Sequence, residues 1–153
     1  MAAVVTRSER SSLSARRAAD GAANDRTIEI GTPAELTERV DRQRSSGYRV
    51  AGSFEEGEDE AAAAAGFRVG ENLPWGRFLY VDDLVTRAAM HGRGHAGALM
   101  SWLFEEAERE GCEEFHLDSG VIPERADAHR LYFRRRLRIA AYHFSSAVPP
   151  GIR

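Results

Sequence analysis

The segment His91-Gly92-Arg93-Gly94-His95-Ala96-Gly97 separates a strand-like run, Phe78 to Thr86, from an amphipathic stretch that starts near Ala96. Its three glycines allow the backbone to turn tightly and to approach a ligand closely. The N-terminus of the helix that follows presents unpaired N–H groups and the positive end of the helix dipole. A glycine-rich turn between a strand and a helix therefore predicts a site for a phosphate or pyrophosphate group.

Patterns on both sides of this loop predict further helices and strands. The residues from Ala96 to Glu110 repeat apolar side chains at i, i+3, i+4 and i+7, which is typical of a helix with one buried stripe. Thr32-Pro33-Ala34-Glu35 has the pattern of a capped helix start, and this helix is expected to stop at Gly47. The other expected elements are strands at Tyr48–Phe54, Ala61–Val69, Trp75–Thr86, Glu114–Asp118 and Ile139–Ser145, and a helix from Pro123 or Glu124 to about Arg135. This order predicts a mixed α+β fold.

The composition suits a single globular domain, with 153 residues of which 42% are hydrophobic and 29% are charged. A net charge of −3 argues against a nucleic-acid partner, and the chain has no apolar run of membrane-spanning length. The single cysteine, Cys112, excludes an intramolecular disulfide, and we expect no metal site. These features lead us to expect a cytoplasmic protein.

The N-terminal residues 1–26 are rich in Ser, Arg and Ala and show little apolar periodicity. We expect a flexible or poorly specified N-terminal arm here, with a weakly encoded first strand and helix as the alternative. The folded domain is then expected at residues 27–153.

The glycine loop also fits the dinucleotide-binding fingerprint GxGxxG, read as Gly92-x-Gly94-x-x-Gly97. Asp118 even stands about where that fold places its ribose-binding acid. In that fold, however, the first glycine follows its strand almost immediately, whereas here residues 87–91 intervene. Several further strand–helix units should also follow the fingerprint, and residues 119–153 are too few for them. The dinucleotide interpretation is therefore the weaker one.

The stretch from Leu79 to Phe144 resembles the GNAT family of N-acetyltransferases. The family's acetyl-CoA motif, R/Q-x-x-G-x-G/A, is matched by residues 91–96, with His91 in place of Arg or Gln. The family's A-x-x-L-Y motif is matched by Ala128-His129-Arg130-Leu131-Tyr132. Departures are Arg125, where Asn is frequent, and Arg136-Leu137, where Gly-Phe is common. The resemblance covers roughly residues 32–145 and implies a central, mostly antiparallel sheet with helices on both faces.

The resemblance also implies which residues form the site. The N–H groups of the loop would hold the pyrophosphate of coenzyme A, and the main chain at the end of the preceding strand would pair with its pantetheine arm. The N–H of Val85 would polarise the thioester carbonyl. Tyr132 would give a proton to the leaving thiolate, with a core aromatic as its alternative role. The residues expected to bind acetyl-CoA are Leu84, Val85, Thr86, His91, Gly92, Arg93, Gly94, His95, Ala96 and Gly97.

The base that takes the proton of the amine is less well defined. In a regular strand, Asp82 lies on the same face as Tyr80 and Leu84, and Asp83 lies on the opposite face. Asp82 is assigned as the base, with Asp83 as the alternative. Two adjacent acids near the end of a strand are also common in solvated turns.

The run Arg134-Arg135-Arg136, followed by Arg138, has two interpretations. It is either a solvated surface or a contact to the 3′-phosphate of coenzyme A, because a guanidinium group matches the geometry of a phosphate.

Two functions remain for comparison. The leading expectation is an enzyme that transfers an acetyl group from acetyl-CoA directly to a primary amine of a small molecule or a peptide. The alternative, suggested by the departures at His91, Arg125 and Arg136, is a GNAT-fold module that binds coenzyme A with little or no turnover. The sequence leaves open the identity of the acceptor and whether the chain forms a homodimer.

Overall fold

A computed structural model of the chain describes residues 3–5 and 32–147. In these ranges five strands form one sheet in the order β1 (Ala3–Val5), β2 (Arg49–Phe54), β3 (Ala63–Asn72), β4 (Gly76–Thr86) and β5 (Glu114–Leu117). The pairs β1–β2, β2–β3 and β3–β4 are antiparallel, and β5 runs parallel to β4. The helices are α1 (Pro33–Arg44), α2 (His95–Arg109) and α3 (Ala126–Arg134). The predicted mixed α+β fold with a mostly antiparallel sheet is confirmed.

The start of α1 is determined by a capping box. The N–H of Thr32 donates to Glu35 Oε2 at 2.8 Å, and the N–H of Glu35 donates to Thr32 Oγ1 at 3.2 Å. Pro33 occupies the first turn, where its missing N–H costs nothing. The helix start predicted from the sequence is therefore confirmed, although no residue of α1 is buried.

The hydrophobic core lies between α2 and one face of the sheet. From the helix it takes the predicted apolar stripe, including Leu99, Met100 and Leu103, all fully buried. From the strands it takes Ala51, Ala63, Ala65, Phe67, Leu79 and Val81. Three small alanines among these positions let α2 approach the sheet closely. Alanine has a low propensity for strands, but the small alanines of β3 allow close packing of the helix against the sheet.

A network of ion pairs joins the C-terminal half of α2 to the strands. Glu106 is only 6% exposed, and it accepts hydrogen bonds from Arg49 of β2 and Arg109 of α2. The neighbouring Glu110 pairs with Arg49 at 2.7 Å and with Arg77 of β4 at 3.1 Å. Burial raises the pKa of Glu106, but the hydrogen bonds from the two arginines outweigh it, so the pKa lies below its usual value.

The predicted last strand, Ile139–Ser145, is wrong, because residues 137–147 form neither helix nor strand. Its apolar residues Ile139, Tyr142 and Phe144 are 80%, 87% and 90% exposed. The alternating pattern is typical of a strand, but a strand also needs a neighbour that takes up its N–H and C=O groups. In the described part of the chain the sheet ends at β5, which does not pair with this segment.

At the other edge of the sheet, Ala3–Val5 pairs with β2, with Ala3 opposite Phe54 and Val5 opposite Gly52. These three residues belong to the segment 1–26 that we expect to be a flexible or poorly specified arm. The rest of that segment lies outside the described residues. Within the described ranges, no helix combines the length and apolar character needed to cross a membrane.

The Glu106 network predicts a pH-dependent contribution to stability. Replacing Glu106 by Gln should lower the free energy of unfolding by about 2 kcal/mol at neutral pH, because two arginines lose the charge they surround. Since the pKa of Glu106 is lower in the folded than in the unfolded chain, this contribution is present above the unfolded pKa. It disappears as the pH falls through the folded pKa.

Urea denaturation of wild type and Glu106→Gln at a series of pH values, from about 7 to about 3, measures this effect. The difference between the two proteins should shrink toward acid pH. Glu105→Gln is the matched control, since Glu105 is exposed on the same helix and should change stability by less than about 0.5 kcal/mol. A difference that stays constant with pH would contradict the role of the Glu106 charge.

Candidate functional site

A cavity of about 950 Å³ lies between the end of β4, the 91–97 loop and α3. Of the residues proposed from the sequence, the structure brings these to the cavity wall: Leu84, Thr86, His91, Gly92, Gly94, His95, Ala96, Gly97 and Tyr132. Asp82, Val85 and Arg93 are not part of the wall. The loop, the strand end and the tyrosine therefore meet around one space, as the sequence motifs predict.

Two glycines shape the loop. Gly92 has φ 74° and Gly94 has φ 90°, which are left-handed conformations that favour glycine. Gly94 is the N-cap of α2 and has no side chain to cap the first turn. The N–H groups of His95, Ala96 and Gly97 have no partner within their own helix, and all three residues line the cavity. This end of α2 is therefore suited to an anion.

The loop is attached to the sheet through a buried histidine. His95 is 3% exposed, and its Nδ1 lies 2.9 Å from Oγ of Ser53, a fully buried residue of β2. Its Nε2 lies 3.5 Å from Glu55, which also pairs with Arg93 at 2.9 Å. The Arg93 side chain is thus bound by the turn after β2. Arg93 is not part of the cavity wall in this arrangement, and its contact with acetyl-CoA stays a prediction.

His91, which departs from the family motif, binds the main chain of the adjacent strand. Its Nε2–H donates to the carbonyl oxygen of Thr86 at 2.9 Å. This hydrogen bond ties the first residue of the loop to the last residue of β4, and both residues line the cavity. His91 therefore holds the start of the loop against the end of β4.

A β-bulge at Asp82 changes which side chains share a face of β4. Val81 lies opposite Phe67 and Asp83 lies opposite Gly66, so Asp82 is an extra residue with no partner in β3. Val81 packs in the core against α2, whereas Asp82 binds Arg68 on the other face at 2.8 Å. Beyond this extra residue, successive side chains of β4 again alternate between the two faces of the sheet.

The bulge makes one prediction from the sequence wrong. Asp83 lies on the same face as Asp82, where it accepts a 2.6 Å hydrogen bond from Tyr48, and Leu84 turns to the core. A regular alternation would have placed Leu84 with Asp82 and Asp83 opposite them. Gly66 makes room for this arrangement, because a Cβ there would lie 1.8 Å from the Tyr48 hydroxyl.

Two tyrosines on this face are neutral hydrogen-bond donors. Burial and the bonded carboxylate of Asp83 hold the pKa of Tyr48 well above its ordinary value. Burial and Asp118, whose carboxylate lies 2.5 Å from the Tyr80 hydroxyl, do the same for the pKa of Tyr80. Neither tyrosine is therefore suited to act as a base at neutral pH.

Tyr132 reaches the cavity from α3 and is protonated at neutral pH. Burial raises its pKa above the ordinary value, while the Arg125 guanidinium and the Ser119 side chain act in the opposite direction. A phenol that holds its proton but has two groups that stabilise the phenolate can donate that proton to a departing base.

The end of α3 carries a Schellman motif with an arginine at its left-handed position. The N–H of Leu137 donates to the carbonyl of Tyr132 at 3.1 Å, and the N–H of Arg136 donates to that of Phe133 at 2.9 Å. Arg136 has φ 63° and is the only non-glycine residue with positive φ in the described ranges. Arg136-Leu137 thus adopts the turn that a Gly-Phe pair would form there, with Leu137 packed against the core.

Arginines of α3 and of the turn before it were only partly identified from the sequence. Four arginines line the cavity, together with two acids, Glu124 and Asp127, so the wall carries an excess of positive charge. The four are Arg125, Arg130, Arg134 and Arg135. Arg135 also donates to the carbonyl of Gly97 at 2.8 Å and so joins α3 to the loop. Its position three residues after Tyr132, on one helical face, is the signal that could have identified it.

No metal centre is apparent in the part of the chain that the structure describes. No three His, Cys, Asp or Glu side chains within the described ranges are grouped so that they could hold an ion.

Comparison with known sequences identifies one family. A profile of the acetyltransferase (GNAT) family matches residues 21–137. The chain is also 31% identical over 68 residues to aminoalkylphosphonate N-acetyltransferase of Salmonella typhimurium. That alignment covers 44% of this chain and 43% of the relative, so the chain spans less than half of the relative's length.

Solved structures share the fold at low sequence identity. An acetyltransferase of Trypanosoma brucei superposes with a TM-score of 0.63 at 18% identity, over 76% of this chain and 80% of that one. Glucosamine-6-phosphate N-acetyltransferase of Arabidopsis thaliana gives 0.62 at 19% identity, over 81% and 83% of the two chains. A predicted acetyltransferase of Clostridium acetobutylicum, crystallised with acetyl-CoA, gives 0.61 at 16% identity, over 80% and 79%.

The left-handed conformation of Arg136 predicts that Arg136→Gly stabilises the protein. The substitution should raise the free energy of unfolding by about 0.5–1 kcal/mol, because relief of the strain exceeds the added entropy of the unfolded chain. Arg134→Gly, in the last turn of the same helix, should instead lower it by about 1 kcal/mol. Chemical denaturation measures both changes, and a destabilised Arg136→Gly protein would show that the side chain of Arg136 matters more than its backbone.

Proposed function

The chain belongs to the acetyltransferase (GNAT) family, and on this premise we propose that it transfers an acetyl group from acetyl-CoA to a primary amine by direct attack of the amine. The observation that carries the proposal is that the anion-binding loop and the proton-bearing Tyr132 line one cavity. Such a transfer needs a site for a polyanionic thioester and an acid for its sulfur, and this cavity contains a candidate for each.

The residues around the cavity fit coenzyme A. The pyrophosphate is assigned to the N–H groups at the start of α2, and the surplus of arginines over acids in the wall favours a polyanion. Arg134 and Arg135 are the candidates for the 3′-phosphate, while Arg136 is placed in the turn after α3. This assignment follows the interpretation of the arginine run as a contact to the 3′-phosphate rather than as a solvated surface.

The main chain of β4 fits the pantetheine arm. The ladder between β4 and β5 stops at Val81 opposite Leu117, so the later residues of β4 have no strand on that side among the described residues. Leu84 and Thr86 line the cavity there, while their other edge pairs with β3. An extended amide chain can add to this open edge as a further strand would. The N–H of Val85 is proposed as the donor to the thioester carbonyl.

Tyr132 is proposed as the general acid. The amine nitrogen attacks the thioester carbon, the C–S bond breaks, and the hydroxyl proton of Tyr132 moves to the sulfur. Its raised pKa means that the proton is present when the reaction begins. Arg125 and Ser119 stabilise the phenolate that the transfer leaves behind.

Asp82 is proposed as the acceptor of the amine proton. The bulge turns both Asp82 and Asp83 to the face away from α2, and the Asp83 carboxylate is engaged by Tyr48. One oxygen of Asp82, Oδ2, is bound by Arg68. Because Asp82 is not part of the cavity wall, the proton is proposed to reach it through water.

Binding and turnover together test the proposed function. Acetyl-CoA and CoA should raise the melting temperature of the wild type, NAD should not, and free thiol should be released with at least one amine of a panel. The panel should contain diamines, an aminoalkylphosphonate and peptides with free N-termini. Tyr132→Phe should keep the thermal shift and lose about 100-fold in kcat, because only the acidic proton is removed.

Tyr142→Phe is the matched control, since Tyr142 is an exposed tyrosine in the tail and should behave as wild type. A thermal shift without thiol release for any amine would favour the CoA-binding module. A shift with NAD and none with either CoA compound would overturn the cofactor assignment. Loss of the acetyl-CoA shift in Tyr132→Phe would make this residue structural.

The assignment of Asp82 as the base is tested by substituting the two neighbouring carboxylates one at a time. Asp82→Asn should lower kcat by about 100-fold while leaving the KM for acetyl-CoA unchanged, because an amide cannot take up the proton. Asp83→Asn is the matched control, since Asn still offers an oxygen to the Tyr48 hydroxyl. Steady-state kinetics gives kcat and KM for both variants. Equal kcat values for Asp82→Asn and Asp83→Asn would show that Asp82 is not the base.

A further inference from the structure

The face of the sheet away from α2 carries a row of aromatic rings along β4 and β5. Phe78 and Tyr80 alternate with the buried core residue Leu79, which places both rings on this face. The indole of Trp75 stacks on the imidazole of His116 with ring centroids 3.8 Å apart, and Tyr80 is stacked with the same imidazole at 6.4 Å. Trp75 is 37% exposed, so solvent reaches the row. Exposed aromatic faces of this kind attract cations.

Two carboxylates lie at the end of this row, where β4 and β5 separate. The last pair of the ladder is Val81 opposite Leu117, and the next residues of the two strands are Asp82 and Asp118. The hydroxyl of Tyr80 donates to Oδ2 of Asp118 at 2.5 Å. Burial, Asp118 and Asp82 together raise the pKa of Tyr80, so both carboxylates act on this hydroxyl. The aromatic row therefore ends in acids beside the open edge of β4.

These rings and acids form one surface, which we call the acid–aromatic patch. It consists of Trp75, Phe78, Tyr80, Asp82, His116 and Asp118.

The charge of the acid–aromatic patch is opposite in sign to that of the cavity wall. Asp83, on the same face as Asp82, adds a third carboxylate. Arg68 pairs with Asp82 at 2.8 Å, and Nδ1 of His143 lies 3.0 Å from Asp118, which is 54% exposed. In the described part of the chain, three carboxylates thus lie beside one guanidinium, whereas four arginines and two acids line the cavity. A cation is therefore attracted to the patch rather than to the cavity wall.

We propose that the acceptor is an aliphatic diamine or polyamine, which carries a second positive charge besides the amine that reacts. The inference rests on the proposed function and names the class of its acceptor. The reacting amine is placed at the open edge of β4 beside Asp82, where the thioester is proposed to lie. The second nitrogen, as an ammonium, binds the carboxylate of Asp118 and the rings of Tyr80 and Trp75.

The spacing along β4 indicates the length of the acceptor. Tyr80 and Asp82 are two residues apart, which corresponds to about 7 Å along a strand. A chain of about four methylene groups between two nitrogen atoms covers a similar length. The simplest acceptor of this class is 1,4-diaminobutane. A carboxylate or phosphonate in place of its second ammonium would be repelled by Asp118.

Three amines of similar length test the second charge. The far end of the chain is an ammonium in 1,4-diaminobutane, a methyl group in butylamine and a carboxylate in 4-aminobutyrate. At saturating acetyl-CoA, kcat/KM should be at least about 10-fold higher for 1,4-diaminobutane than for butylamine, because two favourable contacts are added. It should be lower for 4-aminobutyrate than for butylamine. Release of free thiol measures all three rates.

Asp118→Asn tests the patch itself. The amide oxygen can still accept the hydrogen bond of the Tyr80 hydroxyl, so the end of β5 should keep its structure. The preference for 1,4-diaminobutane over butylamine, expressed as the ratio of kcat/KM values, should fall about 5-fold. Trp75→Leu should lower the same ratio about 3-fold. Asp59→Asn is the matched control, since Asp59 is an exposed acid between β2 and β3 and should keep the wild-type ratio.

Equal kcat/KM values for 1,4-diaminobutane and butylamine would overturn the acceptor assignment and leave the proposed function intact. A preference for 4-aminobutyrate or an aminoalkylphosphonate, or an unchanged ratio in Asp118→Asn, would do the same.

Absence of thiol release with every amine would instead overturn the proposed function, and binding then tests the patch without turnover. Calorimetric titration of 1,4-diaminobutane into the CoA-bound protein should show binding to the wild type that is about 5-fold weaker in Asp118→Asn. Equal binding by the two proteins, or no binding by the wild type, would overturn the patch as a site for a diamine.

Discussion

The site depends on one irregularity in the sheet, the bulge at Asp82 in β4. The ladder to β5 ends at Val81, one residue before the bulge, so the last residues of β4 keep an open edge toward α3. The same extra residue turns two carboxylates to the face away from α2 and returns Leu84 to the core. An extra residue of this kind disrupts the ladder locally and re-aims the side chains that follow it.

Around this opening, the loop and α3 are held in place by side chains from other elements. His95 is tied to Ser53 of β2, His91 to the end of β4, and Arg135 connects α3 to the first turn of α2. Each contact satisfies a polar group and fixes backbone N–H groups that would otherwise be free to move. A preorganised set of donors is what binding of a phosphate requires, because little ordering is left to do when the ligand arrives.

Each of the three residues that depart from the family motifs has its own contact or backbone conformation in the structure. His91 binds a carbonyl of β4, Arg136 accepts the left-handed conformation that a glycine would take without strain, and Arg125 lies close enough to Tyr132 to favour its phenolate. These three positions are the ones that suggest a module without turnover. Each of them has a contact or a backbone role in the fold.

The sequence by itself determined the helices, most strands, the glycine loop and the tyrosine, because caps, left-handed glycines and apolar periods act over a few neighbouring residues. Three features were decided only by the tertiary structure. Arg93 pairs with Glu55 instead of facing the cavity, the two acids share one face of β4, and the pattern at Ile139–Ser145 forms no strand. Each depends on a partner that is distant in sequence or on the register against β3. An ion pair, a bulge and a paired strand each involve two segments of the chain. The residue pattern of one segment does not show which second segment will lie beside it.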